Sequence, residues 1–223
     1  MEIKKIIILI TFTTFIFSYP LNYKIKYFGI NIADCIISRI DTVYEDINSV
    51  KITYKVKTKP FFKKLFPINN NYEVILNHKN DILFFSKKTF QPKIENFIDT
   101  EIKNGKVFYK NTKVEIPKQS YNIFSLLYSI MEGIIPEKFI LEKEGAIYNG
   151  GIHLVSNNIY NLEIFDLEAI DNDQLIEYTD IFTWGIFMNK AKRRLIIDKE
   201  NDMINQCIFT KGLITIKAEL TDY

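Results

Sequence analysis

Leu21-Asn22-Tyr23-Lys24-Ile25-Lys26-Tyr27 decides the fold class. Leu21, Tyr23, Ile25 and Tyr27 alternate with Asn22, Lys24 and Lys26. Successive side chains leave a β-strand on opposite faces, so this period of two belongs to a strand with one buried face. Val50, Ile52, Tyr54 and Val56 repeat the pattern against Lys51, Thr53, Lys55 and Lys57. At the far end Ile214, Ile216, Ala218 and Leu220 do the same against Thr215, Lys217 and Glu219.

The turn chemistry between such runs agrees. Asn104-Gly105 separates Thr100–Lys103 from Lys106–Lys110, and both residues tolerate the positive φ of a two-residue hairpin. Lys211-Gly212 precedes the last strand, His78-Lys79-Asn80-Asp81 joins Tyr72–Leu76 to Ile82–Ser86, and Asn149-Gly150-Gly151 predicts a further reversal. With so many strands and so few long helical patterns between them, βαβ units are excluded. The expectation is a mainly β protein: a single antiparallel curved sheet or partly open β-barrel, with one buried helix and one short helical turn.

The helix is predicted at Tyr121 to Glu132. Ile123, Phe124, Leu126, Leu127, Tyr128, Ile130 and Met131 make it apolar nearly all round, so it should be buried, and Gly133 supplies its stop. The short turn is Pro60-Phe61-Phe62-Lys63-Lys64-Leu65-Phe66-Pro67. There Phe61, Phe62, Leu65 and Phe66 fall on one helical face and two lysines on the other. Three uses are open to it: a lid over the concave face of the sheet, shallow insertion into a membrane surface, or satellite core under a long connection. The lid is favoured over the anchor, because one turn buries too little area to hold a membrane firmly.

Met1-Glu2-Ile3-Lys4-Lys5, followed by the uncharged run Ile6 to Phe17 and the small Ser18, has the layout of a secretory signal peptide. A spanning helix would need roughly 20 apolar residues. The division is therefore a signal peptide at 1–18 and a single β-rich domain at 19–223. Export to the periplasm and no stable membrane span after cleavage are the expectations. The rest of the composition is that of a globular chain, with 47% apolar and 14% aromatic residues, enough to bury a core. A net charge of +2 gives no reason to expect nucleic acid as a partner.

Few residues suggest chemistry. His78 and His153 stand beside no nucleophile motif and read as structural. No Gly-x-Ser-x-Gly, His-Glu-x-x-His or phosphate-binding glycine pattern occurs. Asp166, Glu168, Asp171 and Asp173 crowd one stretch but lack the glycine and closing glutamate of a calcium loop, so a solvated acidic loop is expected. Lys190, Lys192, Arg193 and Arg194 could meet a phosphate or lipid headgroup, and otherwise form a charged hairpin edge, the preferred reading. Trp184, the sole tryptophan, suits the core better than a ligand platform. Cys35 and Cys207, the only cysteines, could form a disulfide in an oxidising compartment or remain two buried thiols. Neither has the spacing of a zinc ligand set, and no cofactor or metal is expected.

The run from Leu21 through Ala33 resembles the opening of DUF3108, an exported bacterial family of unknown function. Thr179-Asp180-Ile181-Phe182, the hairpin that begins at Arg193-Arg194-Leu195-Ile196-Ile197-Asp198, and the close Gly212 to Leu220 are similar to that family's ending. Asp34 stands where the family commonly has glycine. The resemblance implies an exported, β-rich, single-domain protein with no assigned catalytic residue.

Two function classes follow. The first is a non-catalytic binder holding an apolar small molecule or lipid in the curved sheet, with Phe61, Phe62, Leu65, Phe66, Phe124, Leu127, Tyr128 and Trp184 as candidate pocket or lid. The second is a structural or assembly partner of another cell-envelope protein. A cavity left unfilled by Phe124, Leu127 and Tyr128 would favour the binder, and a solid core the assembly protein. A hydrolase ranks last, since no nucleophile–base pair can be named. Export predicts that N-terminal sequencing of the protein from its native host returns a chain beginning near Tyr19; an intact Met1 would contradict it.

Overall fold

The computed structural model describes residues 20–165, 175 and 179–221. The expected signal peptide at 1–18 and the acidic group Asp166, Glu168, Asp171 and Asp173 lie outside the described residues. In chain order the elements are β1 (Leu21–Tyr27), β2 (Ile30–Tyr44), β3 (Ile47–Thr58), α1 (Pro60–Lys63), β4 (Asn69–Asn77), β5 (Ile82–Gln91), β6 (Ile94–Lys103) and β7 (Lys106–Tyr109). They continue with α2 (Ile123–Met131), β8 (Lys138–Lys143), β9 (Ala146–Ser156), β10 (Ile159–Ile164), α3 (Ile181–Phe187), β11 (Lys192–Asp198), β12 (Met203–Lys211) and β13 (Ile214–Leu220).

The thirteen strands of the described residues form one antiparallel sheet in the order β7-β6-β5-β4-β3-β2-β1-β13-β12-β11-β10-β9-β8. Every neighbouring pair is consecutive in the chain except β1 and β13, so the first and last strands join two meanders back to back. Tyr27 lies opposite Ile216 and Ile25 opposite Ala218, which aligns the alternation of both strands and puts their apolar sets on one face. The sheet stays open: β7 and β8 are its free edges. The connection between them caulks the gap. Ile116 N–H donates to Val107 O at 2.8 Å on the β7 side, and Tyr121 N–H donates to Ile140 O at 2.9 Å on the β8 side.

That same connection carries α2 into the interior, where it packs against β4, β8 and β12. All nine of its residues are buried, as an all-round apolar helix requires. Asn122 caps it by accepting from Ser125 N–H at 2.8 Å, while Ser125 Oγ accepts from Asn122 N–H at 3.0 Å. Gly133, at φ +79, ends it. Phe124 is the centre of the core. Its ring stacks on Tyr72 (4.3 Å), Phe182 (5.7 Å) and Phe85 (6.0 Å), and Tyr54 Oη donates to its carbonyl at 2.8 Å.

Three sequence expectations need correction. Asn149-Gly150-Gly151 is no reversal but the middle of β9. The glycines are there for space: a Cβ on Gly150 would fall 2.3 Å from the Phe139 ring, and one on Gly151 2.9 Å from Glu137 O. Ile181 to Phe187 forms a helix that strand periodicity did not suggest. The basic run at 190–194 is not a uniformly solvated edge, because Arg193 is buried. Its guanidinium donates to the carbonyls of Ile186, Ala191 and Met188 and so ties down the end of α3. Burial pushes this guanidinium down to about 10.

Phe124→Asp should therefore cost several kcal/mol, since it places an unpaired carboxylate in the ring stack. Lys190→Ala, at an exposed turn, should change stability by less than about 0.5 kcal/mol. Denaturant melts of the two variants should differ accordingly; equal midpoints would contradict the buried placement of α2.

Candidate functional site

Because α2 fills only part of the barrel, a cavity of about 560 Å³ remains at one end. Its wall comes from β1 and the turn after it (Ile25, Tyr27, Phe28), from β2 and β3 (Ile30, Ile32, Ala33, Val56, Thr58), and from β12 and β13 (Phe209, Ile214, Ile216, Ala218). Phe62, Leu65, Phe66 and Ile68 of the α1 connection close one side, and Ile181, Phe182, Trp184 and Gly185 of α3 roof the other. Nearly every lining group is apolar. The Thr58 hydroxyl is already committed, donating to Phe66 O at 2.9 Å and accepting from Ile68 N–H at 2.7 Å. Such a wall can exclude water from a hydrocarbon, and among the described residues the only hydroxyl-bearing side chains along it are Tyr27 and Thr58.

The structure sorts the eight candidate pocket residues. Phe62, Leu65, Phe66 and Trp184 line the cavity. Phe61 does not: it is 80% exposed and turned away, so the four apolar residues of this turn do not share one face. Helical hydrogen bonding runs on past α1, with Phe66 N–H donating to Phe62 O at 2.9 Å, so the cavity takes Phe62, Leu65 and Phe66 and leaves Phe61 at the edge of that face. Phe124 and Tyr128 are core and line no part of it; Arg39 Nε donates to Tyr128 Oη at 3.1 Å. Leu127 lines a second, small void of about 40 Å³ below, which shares Phe182, Phe209 and Ala218 with the large one. Trp184 is 39% exposed at the mouth and so acts as cavity wall, not core. Cys35 and Cys207 are free thiols facing that small void, with β1 and β13 between their strands; burial pushes both up to about 12. His78 is exposed in its turn, and His153 Nε2 lies 3.8 Å from Glu163 Oε2.

What sequence reasoning missed is α3 and the network that holds it. Asp180 caps α3, accepting from Phe182 N–H and Thr183 N–H at 3.0 and 3.1 Å. Its carboxylate also meets Lys87 Nζ at 2.8 Å and accepts from Tyr72 Oη at 2.6 Å. Lys87 reaches Glu144 Oε1 at 2.6 Å, and the Tyr109 hydroxyl donates to Glu142. Lys87 and Asp180 are both 0% exposed. Burial alone would push the ammonium down, but the two carboxylates outweigh it and raise Lys87; Lys87 in turn holds Asp180 below the usual carboxylate range against its own burial. The signal in the sequence was Asp180, a cap residue standing just before Phe182, Gly185 and Ile186. Among the described residues no group of three or more side chains is arranged to hold a metal, and no helix is long and apolar enough to cross a membrane.

No protein-family model matches the sequence, and no curated protein matches it. Among solved structures, the crystal structure of a beta-barrel-like protein of a domain of unknown function, DUF1849, from Brucella abortus is similar, with a TM-score of 0.48 and 10% sequence identity. The match covers 90% of this chain and 94% of that one.

Glu142 generates a pH prediction. Burial raises its carboxyl to about 7, opposed by hydrogen bonds from Tyr109 and Gly145 N–H. Unfolded, the group titrates near 4.3. Between these values the folded state keeps a proton that the unfolded chain releases, so the contribution of Glu142 to stability falls as pH rises through that window. Glu142→Gln keeps an acceptor oxygen for both donors and removes the titration. Relative to the parent, the variant should gain roughly 1–3 kcal/mol between pH 4.5 and 7.5, read from denaturant melts across pH. A difference that does not vary with pH would contradict this.

Proposed function

We propose that this is an exported, non-catalytic protein that holds a lipid acyl chain, or a similarly apolar small molecule, in the cavity roofed by α1 and α3. One observation carries the proposal: a volume of about 560 Å³, in the range of roughly 300–1,000 Å³ that ligand pockets occupy, walled almost wholly by hydrocarbon. A protein acting only as a scaffold has no use for such a void, because unfilled apolar space forfeits packing energy. The charged N-terminal leader and the resemblance of both chain ends to DUF3108 support export.

The driving force is apolar burial, about 0.8 kcal/mol per methylene, so two added methylenes should tighten binding about tenfold until the cavity is full. Displacement of a fluorescent fatty acid by unlabelled fatty acids of increasing length measures this. Gly185→Leu supplies the control. A Cβ at Gly185 would meet only Ile216 Cδ1, at 3.5 Å, so the larger side chain enters the cavity without disturbing the helix. The variant should melt no lower than the parent and lose fatty-acid binding at least tenfold. Unchanged binding, or no dependence on chain length, would overturn the proposal.

A further inference from the structure

The mouth of the cavity is ringed by apolar side chains that stay exposed among the described residues. Phe28 is 59% exposed, Phe61 80%, Leu65 78% and Leu213 89%. They come from three separate connections: the β1–β2 turn, the α1 segment and the β12–β13 turn. Pairing of Tyr27 with both Ile30 and Ile216 brings two of these turns to the same end of the barrel, and Lys59 N–H, donating to Ile32 O at 2.9 Å, brings the third. Phe28 is held at φ +49, a conformation that disfavours a bulky residue and suits Asn or Gly. An aromatic ring is therefore kept exposed at a position where a polar turn residue would sit with less strain.

Within these three connections the charges have one sign. Lys63, Lys64 and Lys211 are exposed within the same connections, and none forms an ion pair among the described residues. Residues 26–33, 59–68 and 208–216 contain no Asp or Glu. Asp34, just beyond the first of them, is paired with Lys59. We propose that this collar docks on an anionic lipid bilayer, with Phe28, Phe61, Leu65 and Leu213 entering the interface and Lys63, Lys64 and Lys211 meeting the headgroups. Shallow insertion of apolar tips among lysines is how a peripheral protein grips such a surface without a spanning segment. Convex turn tips match a bilayer better than a partner protein's groove, and the strands behind them are paired on both sides, leaving no edge for an added strand. Docked this way, the open mouth faces hydrocarbon, and an acyl chain can pass between bilayer and cavity without crossing water. This extends the acyl-chain reading of the cavity, and its test stands apart from it.

Phe61 and Leu213 line no part of the cavity, so they separate docking from ligand binding. The experiment is co-sedimentation of the exported protein with vesicles of phosphatidylcholine alone or with one-third phosphatidylglycerol. Binding to the anionic vesicles should exceed binding to the neutral ones and weaken at high salt. Phe61→Ser with Leu213→Ser, and separately the triple variant Lys63→Glu, Lys64→Glu, Lys211→Glu, should each lose vesicle binding at least tenfold. Both should keep the parent's affinity for the fluorescent fatty acid and its melting temperature. Equal binding to both vesicle types, or unimpaired binding by either variant, would overturn the proposal. So would a stable dimer that the Phe61/Leu213 variant dissolves, which would make a second copy the occupant. A parent protein that binds anionic vesicles but no fatty acid would uphold docking and overturn the acyl-chain reading alone.

Discussion

Lys87, buried with Asp180 and Glu144 closed around it, is the contact on which the barrel's shape depends. Hydrogen bonding joins the two meanders at the β1–β13 pair but leaves β7 and β8 unpaired with each other, so the far ends of the meanders are held toward one another by side chains. Lys87 belongs to β5 in one meander; Glu144 follows β8 in the other, and Asp180 begins the helix that roofs the cavity. Removing the ammonium would strand two buried carboxylates, a loss of about 3–5 kcal/mol for breaking such a pair. An apolar replacement of all three groups could be as stable, since desolvation offsets much of the attraction. What it would lose is direction: Asp180 spends one oxygen on the cap of α3 and the Tyr72 hydroxyl and the other on Lys87 and Thr183, and this fixes where α3 starts.

The cavity follows from a mismatch of lengths. At 1.5 Å per residue the nine residues of α2 extend about 14 Å, whereas at about 3.3 Å per residue the twelve of β3 extend about 40 Å. Even a tilted wall of such strands outruns its plug. Phe124 and its ring stack complete the lower part, and Phe182 forms the partition above them. Among the described residues the space beyond is covered by side chains arriving from the α1 connection and α3.

Local pattern carried much of this. The alternation at Leu21–Tyr27, the Asn104-Gly105 hairpin and the apolar run at 123–131 each match an element, because a two-fold or 3.6-fold period and a turn's φ requirement are written in adjacent residues. Within the candidate site, Phe62, Leu65 and Phe66 were legible as apolar groups in odd places, whereas the pattern around Trp184 pointed to core and the fold puts it in the cavity wall. What adjacency does not encode is what arrives from elsewhere in the chain. Gly150 and Gly151 look like a turn until the Phe139 ring and Glu137 carbonyl occupy the space a side chain would need. Arg193 looks like surface charge until three carbonyls at the end of α3 converge on it. Phe28, Ile216 and Ala218 become one wall only when the first and last strands pair.

The two buried thiols give this barrel a chemical clock. Burial pushes both thiols up to about 12, so neither offers thiolate at neutral pH, and burial shields both from reagents. Cys35 and Cys207 stand on the strands that flank the β1–β13 pair. Their alkylation therefore waits for an opening of the interior they face, and where the reagent outpaces reclosing the labelling rate counts those openings one by one.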